Sequence, residues 1–268
     1  MPHEDLFDLT GRVAILSGGA GILGRRFTQA LVARGASVLV IDRDVDRLAA
    51  LEAELADTAK ARVATVAGDI TRREEWQRFA AMAVARFGGI DALINNAAAK
   101  SANFFEPFDS FPLADWDEVM TANVTGAMLG CQVIGAHLAA KGRGAIVNVL
   151  SIYGVAAPDQ RIYEGSLYEG HAINTPAVYS VSKAALWGLT MYLAGYWADR
   201  GVRVNAISPG GVFSGQNDVF VRRYSARVPM GRMAHEDEMN GALIYLLSDA
   251  ATYTTGQNIV VDGGLTVW

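Results

Sequence analysis

The sequence predicts an α/β protein in which one seven-stranded parallel sheet is flanked by helices. Three observations carry this. Short β-branched runs alternate with helix-length segments, the pattern of repeated βαβ units. The runs are apolar at nearly every position, as strands covered on both faces must be. A glycine-rich turn, SGGAGILG at 17–24, joins the first run to the first helix. At 268 residues the chain suits one large doubly wound domain, 1–268, rather than two.

The expected strands are 13–17, 37–42, 62–67, 92–95, 145–150, 203–207 and 259–261. Between the first two, residues 21–33 form a helix that leads to Gly35, a C-terminal cap. Residues 71–74, Thr71 to Glu74, read as a capping box opening a helix that ends near Arg86. Residues 115–139 and 176–199 give two long helices able to pair across a subunit interface. Two segments break the alternation, 154–175 after the fifth strand and 214–230 after the sixth. Both fall at the carboxyl ends of strands, where an open α/β sheet binds ligands. They are expected to be a substrate loop and a lid, with the cofactor held by the half running from about 10 to 150.

The composition, 51% hydrophobic and 19% charged, is that of an ordinary globular protein. A net charge of −5 argues against a nucleic-acid partner, whose phosphates call for basic patches. Cys131 is the only cysteine, which excludes an internal disulfide and a multi-cysteine metal site. The histidines, His3, His137, His171 and His235, show no metal-ligand spacing. The opening MPHEDLFDLTGR is acidic and lacks an apolar signal core. No apolar stretch reaches the roughly 18 residues of a bilayer span, so a soluble, cytoplasmic protein without a membrane partner is expected.

The chemistry is carried by two motifs. Tyr179 and Lys183 lie four apart in YSVSK, which places them on one face of a helix. An ammonium beside a phenol favours the phenolate, so a tyrosine that ordinarily titrates near ~10 can act as a base at moderate pH. The second motif is the turn formed by Ser17, Gly18, Gly21, Ile22, Leu23 and Gly24. Following a strand and opening a helix, it offers free amides and a favourable dipole to a pyrophosphate. Asp42, at the end of the second strand, can accept from ribose hydroxyls and repels a 2′-phosphate. That favours NAD over NADP, against which Arg43 alongside can attract a phosphate. Together these residues describe a nicotinamide-dependent oxidoreductase interconverting alcohol and carbonyl.

With these residues in hand, the chain resembles the short-chain dehydrogenase/reductase family over nearly its whole length. The motifs are SGGAGILG at 17–24, GDI at 68–70, NNAA at 95–98, ANVTG at 122–126, Ser151 in NVLSIYG, YSVSK at 179–183, NAISPGGVFS at 205–214 and TGQNIVVDGG at 255–264. The resemblance implies a Rossmann fold, a homotetramer, and a catalytic tetrad of Asn123, Ser151, Tyr179 and Lys183. It places Asp69 and Ile70 at the adenine, Asn95 and Ala97 beside the cofactor, and Pro209, Gly210, Val212 and Ser214 at the nicotinamide end. In this scheme Tyr179 and Lys183 also touch the cofactor, Lys183 lowers the tyrosine pKa, and Asn123 holds a water leading from Lys183 to solvent. The sequence departs from the common pattern at Ser17, where threonine is usual, and at Ile22, where glycine is usual. The resulting G-x-x-G-x-x-G spacing is more typical of sugar-nucleotide-modifying members. A third departure is the insertion between Ser151 and Tyr179.

That insertion supplies Tyr153, Asp159, Gln160, Arg161, Tyr163, Glu164, Tyr168, Glu169 and His171. Aromatic faces with hydrogen-bonding groups suit a small-molecule substrate such as a sugar, polyol or cyclic hydroxyl compound. Phe104, Phe105, Phe108 and Phe111 can line an opposite wall, and Phe213, Phe220, Tyr224 and Met230 an apolar lid. Two other readings stay open. A carbonyl reductase of 3-oxoacyl thioesters is disfavoured by Asp42, and a non-catalytic NAD-binding sensor by the intact tetrad.

Overall fold

The computed structural model describes residues 5–55, 57–168 and 170–268, so Glu169 and His3 lie outside the described residues. The chain runs β1 (Val13–Ser17), α1 (Ile22–Ala33), β2 (Ser37–Asp42), α2 (Val45–Glu54), β3 (Val63–Ala67), α3 (Arg73–Phe87), β4 (Ala92–Asn95) and α4 (Leu113–Lys141). It continues through β5 (Gly144–Val149), α5 (Ala177–Trp197), β6 (Val202–Pro209), α6 (Asp218–Ser225), α7 (Asn240–Leu247) and β7 (Asn258–Val261). The strands form one parallel sheet in the order β3-β2-β1-β4-β5-β6-β7. The order reverses between β1 and β4, which opens a crevice above their carboxyl ends. Ser17 pairs there with Asn95, and Asn95 with Asn148.

Both faces of the sheet are covered, which is why the strands carry so few polar residues. On one face Leu16, Val40 and Val147 meet Phe27 and Leu31 of α1 and Leu243 and Leu246 of α7. On the other, Ile15, Leu39, Leu93 and Ile146 meet Trp76 and Phe79 of α3, Ile134 and Leu138 of α4, and Trp197 of α5. Each fully buried side chain of this size contributes about 1.5–3 kcal/mol.

All seven expected strands form, with ends shifted by a residue or two. The Gly35 cap forms too, at φ +91° directly after α1. The capping box at 71–74 does not form. Thr71 gives its N–H and its hydroxyl to Asp69 Oδ1, at 2.9 and 2.7 Å, and α3 opens later without a side-chain cap. An aspartate two residues upstream competes successfully for the groups the box needed.

Helix α4 is longer than expected and is interrupted by two π-helical turns, Thr121–Thr125 and Cys131–Gly135. Its glycines allow close packing: a Cβ on Gly130 would lie 2.7 Å from the Trp76 ring, and one on Gly135 2.2 Å from the Trp197 ring. By length and composition α4 is apolar enough to cross a bilayer, contrary to the sequence expectation. Its apolar face, with Val119, Ala127, Ile134 and Leu138, is buried within the protein.

Both irregular segments carry regular turns and helices among their described residues. Residues 154–175 contain a 3-10 turn, Gln160–Tyr163, and a short antiparallel hairpin pairing Leu167–Tyr168 with His171–Ala172. Helix α6 lies in the second segment. Ile162 and Tyr163 of the first pack with Phe220, Tyr224 and Val228 of the second. Ion pairs of Asp159 with Arg227 and Glu164 with Arg223 join the segments at their rim.

Candidate active site

The glycine-rich turn is built so that its backbone can approach its surroundings. Gly18 adopts φ +65°, and a Cβ there would lie 2.6 Å from Ala97 Cα. Ser17 is buried and acts as a bracket. Its hydroxyl accepts from Asn96 N at 3.2 Å and donates to Ile94 O at 3.4 Å, tying the end of β1 to the end of β4. Gly21 caps α1 without any side-chain acceptor for the first-turn amides.

A groove of about 910 Å³ opens here, lined by Gly18, Gly21, Ile22, Leu23, Asp42, Arg43, Asp69, Ile70 and Ala97. Uncapped amides at one end and a carboxylate at the end of β2 fit a dinucleotide, with the pyrophosphate at the turn and the ribose at Asp42. Asp42 also shapes the turn, accepting from Ala20 N at 3.1 Å and Asp44 N at 3.2 Å. Thr71 holds the Asp69 carboxyl below its ordinary range.

Several predicted cofactor residues stand elsewhere. Gly24 is buried beneath the turn, where a Cβ would meet Gly18 O at 2.3 Å. The Asn95 side chain points into the core rather than the groove. It donates to Asn148 Oδ1 at 2.8 Å, and Asn148 donates to Thr190 Oγ1 at 2.8 Å. Because alternate strand residues face opposite sides, the groove wall falls instead to Asn96, whose amide donates to Gly18 O at 2.8 Å.

A second pocket of about 380 Å³ meets the groove at Ala98 and Ala99. Ser151 and Tyr179 line it, with Lys100, Phe104, Tyr153, Asn174, Gly210, Val212 and Gln216 among their neighbours. Pro209 and Ser214 are outside both linings; Gln216 holds Ser214, accepting from its N–H at 2.7 Å. Phe104 packs edge-on against Tyr179, while Phe108 is exposed. Phe220 and Tyr224 form part of the wall, and Phe213 and Met230 are exposed. His171 is exposed on the hairpin, away from this pocket.

The tetrad residues converge through the helix that carries Tyr179 and Lys183. Lys183 is buried and donates to Val149 O at 2.9 Å, with Nζ 5.8 Å from the centre of the Tyr179 ring. Burial pushes its pKa down to about 8. Burial also raises the Tyr179 phenol above its ordinary range, outweighing the opposite effect of the Ser151 hydrogen bond. In the protein without a bound cofactor, desolvation therefore sets the direction of the Tyr179 shift. The Asn123 amide makes two bonds to protein groups. Its oxygen accepts from Ala99 N at 2.8 Å and its nitrogen donates to Ser182 Oγ at 3.1 Å.

Lys100, Asn174 and Gln216 were not singled out from sequence. Asn174 donates to Phe105 O at 2.6 Å, and its buried Oδ1 has no partner among the described residues. Only its place in the insertion marked it beforehand.

A family profile described as enoyl-(acyl carrier protein) reductase matches residues 19–266. The chain is similar to the D-threitol dehydrogenase of Mycolicibacterium smegmatis, 32% identical over 269 residues, covering 97% of this chain and 95% of the relative. It is also similar to the 3-alpha-(or 20-beta)-hydroxysteroid dehydrogenase of Mycobacterium tuberculosis, 34% identical, covering 96% and 90%. Among solved structures it resembles a gluconate 5-dehydrogenase from Burkholderia cenocepacia in complex with NADP and tartrate, with TM-score 0.85 and 28% identity over 98% of each chain. The chain belongs to the short-chain dehydrogenase/reductase family. It is an oxidoreductase that acts on CH–OH groups with a nicotinamide cofactor.

Proposed function

We propose that the protein is an NAD-dependent dehydrogenase of a polyhydroxylated secondary alcohol. The observation that carries this is the lining of the smaller pocket. Ser151 and Tyr179, with Asn174 and Gln216 beside them, give one space that adjoins the dinucleotide groove several hydrogen-bonding residues. These suit a ligand that carries several hydroxyls. An all-carbon ring system such as a steroid nucleus would leave most of them unmet. The D-threitol dehydrogenase likeness agrees with this choice, and Asp42 supports NAD over NADP.

The chain's own residues then divide the work. The bound nicotinamide supplies the hydride acceptor in oxidation and the donor in reduction. Ser151 hydrogen-bonds the substrate oxygen and so orients the carbinol carbon. Tyr179 takes the hydroxyl proton in oxidation and returns it in reduction. Lys183, anchored on Val149 O, keeps a positive charge beside the phenol, which favours the phenolate once the groove is filled. Asn123 fixes Ala99 and Ser182, and through them the pocket floor and α5. Residues 154–175 form the substrate loop and 214–230 the lid. We also infer a homotetramer assembled through α4 and α5, on the strength of the exposed Met191, Tyr192 and Tyr196.

The experiment is NADH formation at 340 nm with a panel of polyols, sugars and sterols, repeated with NADP and with the Tyr179→Phe variant. Turnover of polyols with NAD, abolished in the variant, is the expected result. Turnover of sterols alone, or of polyols only with NADP, overturns it.

A further inference from the structure

A separate cavity of about 490 Å³ lies at the opposite end of the sheet from Tyr179, lined by Arg12, Arg143 and Arg203. Arg12 immediately precedes β1, Arg143 precedes β5, and Arg203 is the second residue of β6. All three therefore stand at amino ends of strands in the middle of the sheet. The dinucleotide groove and the pocket beside Tyr179 lie at the carboxyl ends and share no lining residue with this cavity.

The charges here do not balance. Asp249 takes two of the guanidiniums, accepting from Arg12 Nη2 at 2.8 and 2.9 Å and from Arg143 Nη2 at 3.1 and 3.4 Å. The other carboxylate of the lining, Asp91, accepts from Val13 N at 2.9 Å and pairs with Lys141 at 2.5 Å. Arg203 forms no ion pair among the described residues. It donates only to the backbone, to Thr254 O at 3.3 Å and Ser248 O at 3.4 Å, which are long bonds for a guanidinium. Burial pushes its pKa down, and the nearby Asp249 only partly offsets this. With Asp91 matched by Lys141, three guanidiniums face the single carboxylate of Asp249, and two positive charges stay uncompensated.

We propose that this cavity binds a dianionic phosphate group. A guanidinium presents paired N–H donors that match phosphate oxygens. A partly enclosed site strengthens the attraction relative to bulk water. A carboxylate would bring one charge where two are uncompensated. Leu9, Leu31 and Leu247 give the cavity apolar walls beside its arginines. It therefore has room for a phosphate monoester with a small apolar body as well as for free phosphate.

The test is isothermal titration calorimetry on the enzyme saturated with NAD, which keeps phosphate out of the glycine-rich turn. Inorganic phosphate and phenyl phosphate are titrated at constant ionic strength into the wild type, R143M and D249N. The wild type should bind at one site per chain. R143M should weaken binding by about tenfold or more, the scale of one hydrogen bond between charged groups. D249N should tighten it, because the competing carboxylate is gone. The Arg143 side chain is 57% exposed, so R143M should fold, and an unchanged circular dichroism spectrum checks this for both variants. Tighter binding of phenyl phosphate than of phosphate assigns the site to a monoester, and the reverse order assigns it to free phosphate. No binding by the wild type, or affinities that R143M leaves unchanged, overturn the inference. Weaker binding by D249N also overturns it, since the arginines would then form an ion-pair cluster that serves only the fold.

Discussion

Asn123 and Ser182 are joined by a buried hydrogen bond, Nδ2 to Oγ at 3.1 Å, and the Ser182 hydroxyl donates in turn to Tyr179 O at 2.8 Å. The bond crosses from a π-helical turn of α4 to the helix that carries Tyr179 and Lys183. Replacing Asn123 with leucine leaves Ala99 N and Ser182 Oγ without their partner. Ala99 is only half-buried and Ser182 keeps its bond to Tyr179 O, so the expected loss is about 1–3 kcal/mol in all, read from urea unfolding. Ser182→Ala should lose about 1 kcal/mol, and the double variant less than the sum of the two, because they share one bond. Additive losses would show that the bond contributes nothing.

Asp42 carries a second prediction, on the cofactor. Its carboxylate shapes the turn through Ala20 N and Asp44 N and also lines the groove. Asp42→Asn keeps an acceptor oxygen and removes the charge. It should raise kcat/KM for NADP relative to NAD by about tenfold, equivalent to about 1.4 kcal/mol. Asp42→Ala should do the same and also lose about 1 kcal/mol of stability for each backbone bond given up. An unchanged cofactor ratio in both variants would place the ribose away from Asp42.

The contrast between Asp42 and Asn95 shows what the sequence makes legible. Both end strands of the sheet, and strand positions are written plainly in apolar, β-branched runs. Which way an end residue faces depends on the pleat and on the neighbouring helix, and a motif match carries neither. Asn95 turns toward Cys131 of α4 and Asn148 of β5, while Asn96 reaches the groove. The same limit hid Asn174, which reaches the pocket beside Tyr179 because distant segments meet there. The capping box failed for a local reason, since Asp69 outcompeted it for Thr71.

Lys183 sets a stability trend with pH. Burial depresses its pKa from 10.5 to about 8. Between those values the unfolded chain binds more protons at this site than the folded chain, so this site's contribution to stability rises with pH across that window. The buried tyrosines act oppositely. Tyr179 and Tyr224, the latter pushed up to about 12, lose their stabilising share as pH climbs above 10 through their folded values. The comparison that isolates Lys183 is the wild type against Lys183→Met. The difference in urea midpoint should move in favour of the wild type as pH rises from 8 toward 10. A difference that is flat with pH would mean that Lys183 is not desolvated in the folded protein.

The exposed side of α5 bears on assembly. Met191, Tyr192 and Tyr196 are 48%, 67% and 52% exposed, and the two tyrosine rings stack at 5.8 Å. Gly188 and Gly195 share the helix, and a Cβ at either would touch nothing, so the surface there is shallow enough to admit another helix. Apolar area of this kind on a long helix is characteristic of a subunit contact. Tyr192→Glu and Tyr196→Glu together would place two charges in such a contact without disturbing the core, since both rings already face outward. Sedimentation velocity should then show the wild type as a tetramer and the double variant as a smaller species with an unchanged circular dichroism spectrum. A monomeric wild type, or a variant that sediments identically, would leave α5 outside any interface. In that case the stacked tyrosines would be ordinary surface aromatics, worth about 0.5–1.5 kcal/mol to the helix that carries them.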